Sequence, residues 1–183
     1  MCPVFNLLVG KLGETVGWYF GLVVYWFVWG AAFSFLLVGK DKISLIIRPQ
    51  KLNKSVILLV LFPLVMALVY KVVSRTEYNK PSVWIFLLYL STALGNGFFE
   101  EVLWRGVYMD LFPDNLLFGI VWPSIWFSLW HYVPGSVSSD GNVIGLMIGS
   151  VFFGFYLSFL AKKTGTIWWP ILAHVLGEFI MIL

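Results

Sequence analysis

Cysteine and charge are what this 183-residue chain has least of. Its one cysteine, Cys2, excludes an internal disulfide framework and the paired-cysteine zinc motifs, and a place beside a terminus free to fray gives it no evident role. Charged residues make up 11% of the chain against 60% hydrophobic, with a mean hydropathy of +0.90, a balance that ordinary soluble domains do not have. The formal net charge of +3 does not point to nucleic acid, because the lysines and arginines are scattered over loops between apolar runs. No Walker-type glycine loop, internal repeat or low-complexity tract is present. The HExxH pattern, which sets two zinc-binding histidines on one helical face, is also missing.

What is there is oil in long runs. Apolar segments occupy about Thr15–Val38, Ser55–Val73, a stretch from Ser82 (after Pro81) into "NGFFEEVLWRGVYMDLF", then about Leu116–Val133, Val143–Ala161 and Thr166–Leu183. Each approaches the roughly 20 residues that cross ~30 Å of hydrocarbon, and unpaired backbone is prohibitive in lipid. The expectation is all-α: a polytopic transmembrane bundle of about six spanning helices, residues 1–183 forming a single integral membrane domain. The first run is too long for a signal-peptide core and lacks a clear cleavage site, so it is read as a retained span. Lys40, Lys42, Arg48, Lys51, Lys54, Lys162 and Lys163 fall on one face by strict alternation, and that face is assigned to the cytoplasm, with both termini outside. Lys71, Arg75 and Lys80 fall on the opposite face.

Six polar side chains do not belong in these runs: Glu100, Glu101, Arg105, His131, His174 and Glu178. An ionised group inside a span costs about 2.5 kcal/mol or more, so each is a functional hypothesis by default. Glu101 and Arg105 are i, i+4 on a helix and can pair, whereas Glu100 is turned ~100° away and is left as a candidate acid or base. His174 and Glu178 share a face by the same spacing. A hairpin turning at "FPDN", Phe112–Asn115, sets Glu100 ~19 Å and His131 ~27 Å from the turn by helical rise, and tilt closes much of the difference.

"EEVLWR" (Glu100, Glu101, Arg105), "FSLWH" (Phe127 to His131) and "HVLGE" (His174 to Glu178) stand in that order, each on an apolar helix. They resemble the EExxxR, FxxxH and HxxxN/D motifs of the CPBP intramembrane proteases, the family of the CAAX prenyl endopeptidases and bacterial Abi proteins. The resemblance covers roughly Gly95 to the C-terminus, with a family-like core at about 82–183. It implies a glutamate-dependent peptidase in which Glu100 and His131 activate a water, Glu101 and Arg105 hold the geometry, His174 steadies the oxyanion and Phe127 packs on the imidazole. The implied partners are the lipid bilayer and a membrane-tethered or hydrophobic peptide substrate: a CAAX-like tail, a sorting tail or a leader. Position 178 departs from the pattern, since an ionised glutamate repels an oxyanion where an amide would donate to it.

Several readings stay open beside this one. Glu101 and Arg105 also suit a purely structural ion pair. A membrane immunity or regulatory protein without catalysis, or a small proton-coupled transporter, would use the same polar residues. No cofactor is expected; zinc remains an alternative because His and Glu are acceptable ligands. Phe127, Trp126 and Trp130 are read as packing or interface anchors, "GNG" (Gly95 to Gly97) as a kink, a close approach or packing, and Asp110, Asp114 and Asp140 as loop residues in solvent. A prokaryotic plasma membrane is the expected location.

Overall fold

The computed structural model describes residues 1–74, 82–139 and 142–182. Arg75, Lys80, Pro81, Asp140 and Leu183 lie outside the described residues. Among those described, the chain forms helices and no strand. In order they are α1 (Cys2–Leu12), α2 (Glu14–Val38), α3 (Lys40–Ile46), α4 (Lys54–Ser74), α5 (Val83–Leu111), α6 (117–135), α7 (Val143–Thr164) and α8 (Trp168–Ile182).

All six expected segments are helical. Four stretches, Glu14–Val38, Lys54–Val73, Val83–Leu111 and Val143–Thr164, are long and apolar enough to cross a membrane, and Trp168–Met181 is apolar but shorter. The surface confirms the solvent: Leu36 is 84% exposed and Trp84 77%, while glutamates and an arginine are buried. Such an inside-out distribution fits a molecule bathed in lipid.

Two expectations of the N-terminal half need correction. The terminus is not a loose tail but helix: Pro3 sits in the first turn of α1, where a missing N–H costs nothing, and Phe5 is wholly buried. Gly13, at φ 81°, folds α1 back on α2, and a Cβ at Gly17 would lie 2.5 Å from the Leu8 backbone, so the helices touch main chain to main chain. The basic loop after α2 is also not plain loop, since it holds α3 with Ile43 buried. Asp110 departs from its assignment too. It lies in the last turn of α5, half-buried, and accepts from Lys42 Nζ at 3.1 Å.

Contacts at one end of the bundle tie three of its connections together. Thr166 Oγ1 donates to the carbonyls of Ile46 (2.8 Å) or Arg48 (2.9 Å), Ile167 N donates to Ile46 O (2.9 Å), and Lys162 Nζ donates to Pro113 O (3.4 Å). The lysine-rich segment 40–54, the 112–115 turn and the Lys162–Lys163 link therefore share an end, as alternation requires. Asparagine side chains start three helices: Asn53, Asn115 and Asn142 accept from the backbone N–H groups of Val56, Phe118 and Gly145.

Two helices loosen where they meet. α2 is π-helical at Trp26–Phe33, and α5 at Asn96–Glu100 and Val102–Val107. A π turn carries more residues than an α turn, which narrows the angle between successive side chains and is common at functional sites. The glycines of "GNG" are packing devices. A Cβ at Gly97 would lie 2.3 Å from the Val175 side chain on α8, and one at Gly95 2.5 Å from the Trp26 ring on α2. They let α5 press against both neighbours, with the polar residues at the point of closest approach.

Candidate active site

Because α5 and α8 approach so closely, their polar side chains meet directly. Glu101 Oε1 accepts from Arg105 Nη1 at 2.9 Å and from His174 Nδ1 at 2.8 Å. The other nitrogen, His174 Nε2, faces Glu178 Oε1 at 3.3 Å and Glu100 Oε2 at 3.9 Å. Each ring nitrogen of His174 thus addresses a carboxylate, so the ring serves as donor at both ends. Glu101, Arg105 and His174 are 0%, 1% and 2% exposed. Phe127 closes this hub from α6: the Arg105 guanidinium lies 4.5 Å from its ring centre, and its edge meets the His131 ring at 4.5 Å.

Glu100 leaves the hub on its other side. Its Oε1 accepts from Trp130 Nε1 at 2.9 Å, and Trp130 is in turn stacked on Tyr25 of α2 at 3.7 Å. Its Oε2 is buried without a hydrogen-bond partner among the described residues. Such an atom calls for an explanation, because nearly all buried polar groups are paired. His131 Nδ1 donates to the Phe127 carbonyl at 2.7 Å, and since a carbonyl only accepts, the proton of the neutral ring belongs on Nδ1 and the lone pair on Nε2.

Glu100, His131 and Glu178 line one cavity of about 420 Å³, together with Asn96 and the apolar side chains of Trp18, Leu22, Trp130, Leu146 and Met181. It lies toward the end of the bundle away from Lys162 and Lys163, where the start of α2, the end of α6 and the start of α7 meet. All six sequence-singled residues therefore gather around α5, but in two groups. Glu101, Arg105 and His174 form a sealed hub behind the wall; Glu100, His131 and Glu178 form part of the wall. Glu178 Oε1 also accepts from Asn96 Nδ2 at 3.1 Å, and Asn96 Oδ1 accepts from Trp26 Nε1 at 2.9 Å.

Trp130, Asn96 and Trp26 join the candidate site, although the sequence marks Trp130 only as a packing or interface anchor and Asn96 only as part of "GNG". The available signals were modest: Trp130 precedes His131 directly, Asn96 stands one turn before Glu100, and a buried indole N–H must find an acceptor. Phe127 was singled out, and it does pack on His131. Among the described residues no group of three or more His, Cys, Asp or Glu side chains is disposed to hold a metal ion.

The sequence profile of a family described as "Type II CAAX prenyl endopeptidase Rce1-like" matches residues 82–180, from the N-cap of α5 through most of α8. The match spans the three motifs and every residue of the hub. No curated protein and no solved structure matches the chain.

Proposed function

The chain belongs to the type II CAAX prenyl endopeptidase Rce1-like family, and from that premise we propose that it hydrolyses a peptide bond at the membrane with a water activated by Glu100 and His131. The observation that carries the reading is a pair of residues on one cavity wall: Glu100, whose Oε2 is buried without a hydrogen bond, and His131, whose Nε2 is freed by the Nδ1 bond to Phe127.

A water between these acceptors gives a proton to Glu100 as its oxygen bonds to the substrate carbonyl carbon. The carbonyl π pair moves onto oxygen, and collapse of that oxyanion expels the amine, which takes the proton back from Glu100, while the proton left on the new carboxyl group passes to His131 Nε2. The products are a carboxylate and a free amine. Trp130 holds the glutamate in position, and the hub behind it fixes α5 against α8. The mostly apolar cavity keeps bulk water from competing with the positioned one.

The substrate class follows from the surroundings: an apolar or membrane-tethered peptide, with a prenylated CAAX tail the first candidate by family and a sorting tail or leader next. A prokaryotic plasma membrane remains the proposed setting. The probe is an internally quenched farnesylated peptide ending in a CAAX box, presented in detergent micelles to the purified chain. Wild type should cleave it, while Glu100→Gln and His131→Ala should each abolish nearly all turnover. Cleavage by Glu100→Gln at the wild-type rate would falsify the mechanism. Silence of the wild type on this peptide and on tethered precursors would favour a binding or immunity role.

A further inference from the structure

Asn96 lies one turn before Glu100 on α5, and its side chain lines the same cavity. An amide side chain can be turned either way, but here its direction is fixed. Trp26 Nε1 has only a proton to give and sits 2.9 Å from Oδ1, so the amide oxygen faces α2 and the NH₂ group faces α8. One N–H goes to Glu178 Oε1 at 3.1 Å. The second has no acceptor among the described residues.

The cavity needs a donor of this kind, because hydrolysis places negative charge on the former carbonyl oxygen beside Glu100. Two nearer donors on the wall are committed: Trp130 Nε1 is spent on Glu100 itself, and Trp18 Nε1 donates to Pro134 O at 3.2 Å. The Asn142 oxygen caps α7, and its amide N–H groups are the rival donor that the experiment separates. Glu178 can only accept when ionised, and His174 stands behind the wall with its nitrogens facing carboxylates.

We propose that Asn96 is a further catalytic residue: its free amide N–H donates to the oxygen of the tetrahedral intermediate, Trp26 being its positioning residue and Glu178 the acceptor that holds the other N–H. The inference rests on the hydrolytic reading of Glu100. When the water oxygen bonds to the carbonyl carbon and its proton passes to Glu100, the displaced π pair lands on an oxygen one turn along the helix from Asn96. A preset donor there costs no reorganisation at the moment of reaction.

The experiment uses the full-length chain and the quenched farnesylated CAAX peptide, with gel-filtration profile and thermal midpoint recorded for every variant. Asn96→Asp keeps the shape and the acceptor for Trp26 but has no N–H to offer. It should lower kcat by about 10²–10³-fold, the usual loss for one oxyanion donor, with KM within about threefold. The exchange Asn96→Asp with Glu178→Asn preserves charge and hydrogen-bond count while moving the amide to α8, and should recover kcat at least about tenfold over the single variant. Trp26→Phe frees the amide to turn and should fall between wild type and Asn96→Asp in kcat.

Loss of kcat and KM in step, without recovery in the exchange, would make Asn96 a strut between helices and overturn the proposal. So would wild-type kcat in Asn96→Asp alongside a dead Glu100→Gln, an outcome that leaves the hydrolytic reading standing. A collapse confined to Asn142→Ala would move the donor role to the cap of α7. Full activity in Glu100→Gln would remove both the reading and this inference.

Discussion

Glu100 and Glu101 are adjacent in the chain and equally buried, at 1% and 0% exposure, yet their surroundings differ in kind. Glu101 puts one oxygen between Arg105 and His174, so its charge is answered twice within 3 Å. Both glutamates leave Oε2 without a hydrogen bond, but the other oxygen of Glu100 meets a single neutral donor, the Trp130 indole. Across the cluster three carboxylates, Glu100, Glu101 and Glu178, face two basic groups, Arg105 and His174, so one carboxylate is left in surplus. A buried carboxylate whose charge is matched suits a structural part; one whose charge is unmatched and which borders a cavity suits the base of the proposed hydrolysis.

The first way to break that contrast is Glu101→Ala, which strands a buried guanidinium and removes a partner from His174. Breaking a buried pair in this manner costs about 3–5 kcal/mol, which for a chain of this size lowers the unfolding midpoint on the order of 10 °C. Thermal unfolding in detergent reads it, and an unchanged midpoint would mean the hub is ornamental. Glu100→Gln should do the reverse. It removes an unmatched buried charge and keeps the acceptor for Trp130, so the midpoint holds or rises while turnover of the quenched peptide falls about 10³-fold, within the range for a lost general base. Should the two variants behave alike, the division between structural part and base fails.

The helices and the two glutamates were legible in the sequence for the same reason: a bilayer demands uninterrupted apolar runs, so each charge inside one stands out. The spacing of Glu101 to Arg105 and of His174 to Glu178 announced their shared faces. What the sequence hid were partners that hydropathy treats as oil. Trp130 and Trp26 each contribute one N–H on a large apolar ring, and nothing in their spacing marks that N–H as aimed at Glu100 or Asn96. The π turns at Asn96–Glu100 and Val102–Val107 have no compositional signature, and they bracket Glu101. The helices α1 and α3 are too short for a periodic signal, and their packing depends on Gly17 and Ile43 meeting residues remote in sequence.

Trp130→Phe sharpens the contrast on a smaller scale. The ring and its stack on Tyr25 are retained, and only the N–H to Glu100 disappears. A hydrogen bond to a charged group contributes about 1.5–3 kcal/mol, so kcat should fall roughly 10- to 100-fold as the carboxylate loses its fixed direction. The same loss of N–H at Trp104, which donates to Tyr25 OH at 2.8 Å, should change kcat far less, because no reacting group depends on it directly.

The smallest expected effect is that of chelation. A zinc site takes at least three protein ligands, and the donors here are already divided. His174 spends both nitrogens on carboxylates and Glu101 spends an oxygen on two donors, so the acceptors left open on the cavity-lining residues include Glu100 Oε2 and His131 Nε2, with Glu101 Oε2 sealed in the hub behind them. Two acceptors suit a water better than an ion that would also have to displace Glu178 from Asn96 and His174. Dialysis against 1,10-phenanthroline should therefore leave turnover within about twofold, on the scale where a lost zinc would remove it entirely. A collapse restored by added zinc would recruit Glu178 to the metal and make Glu100 a ligand whose charge is answered after all, erasing the difference from Glu101.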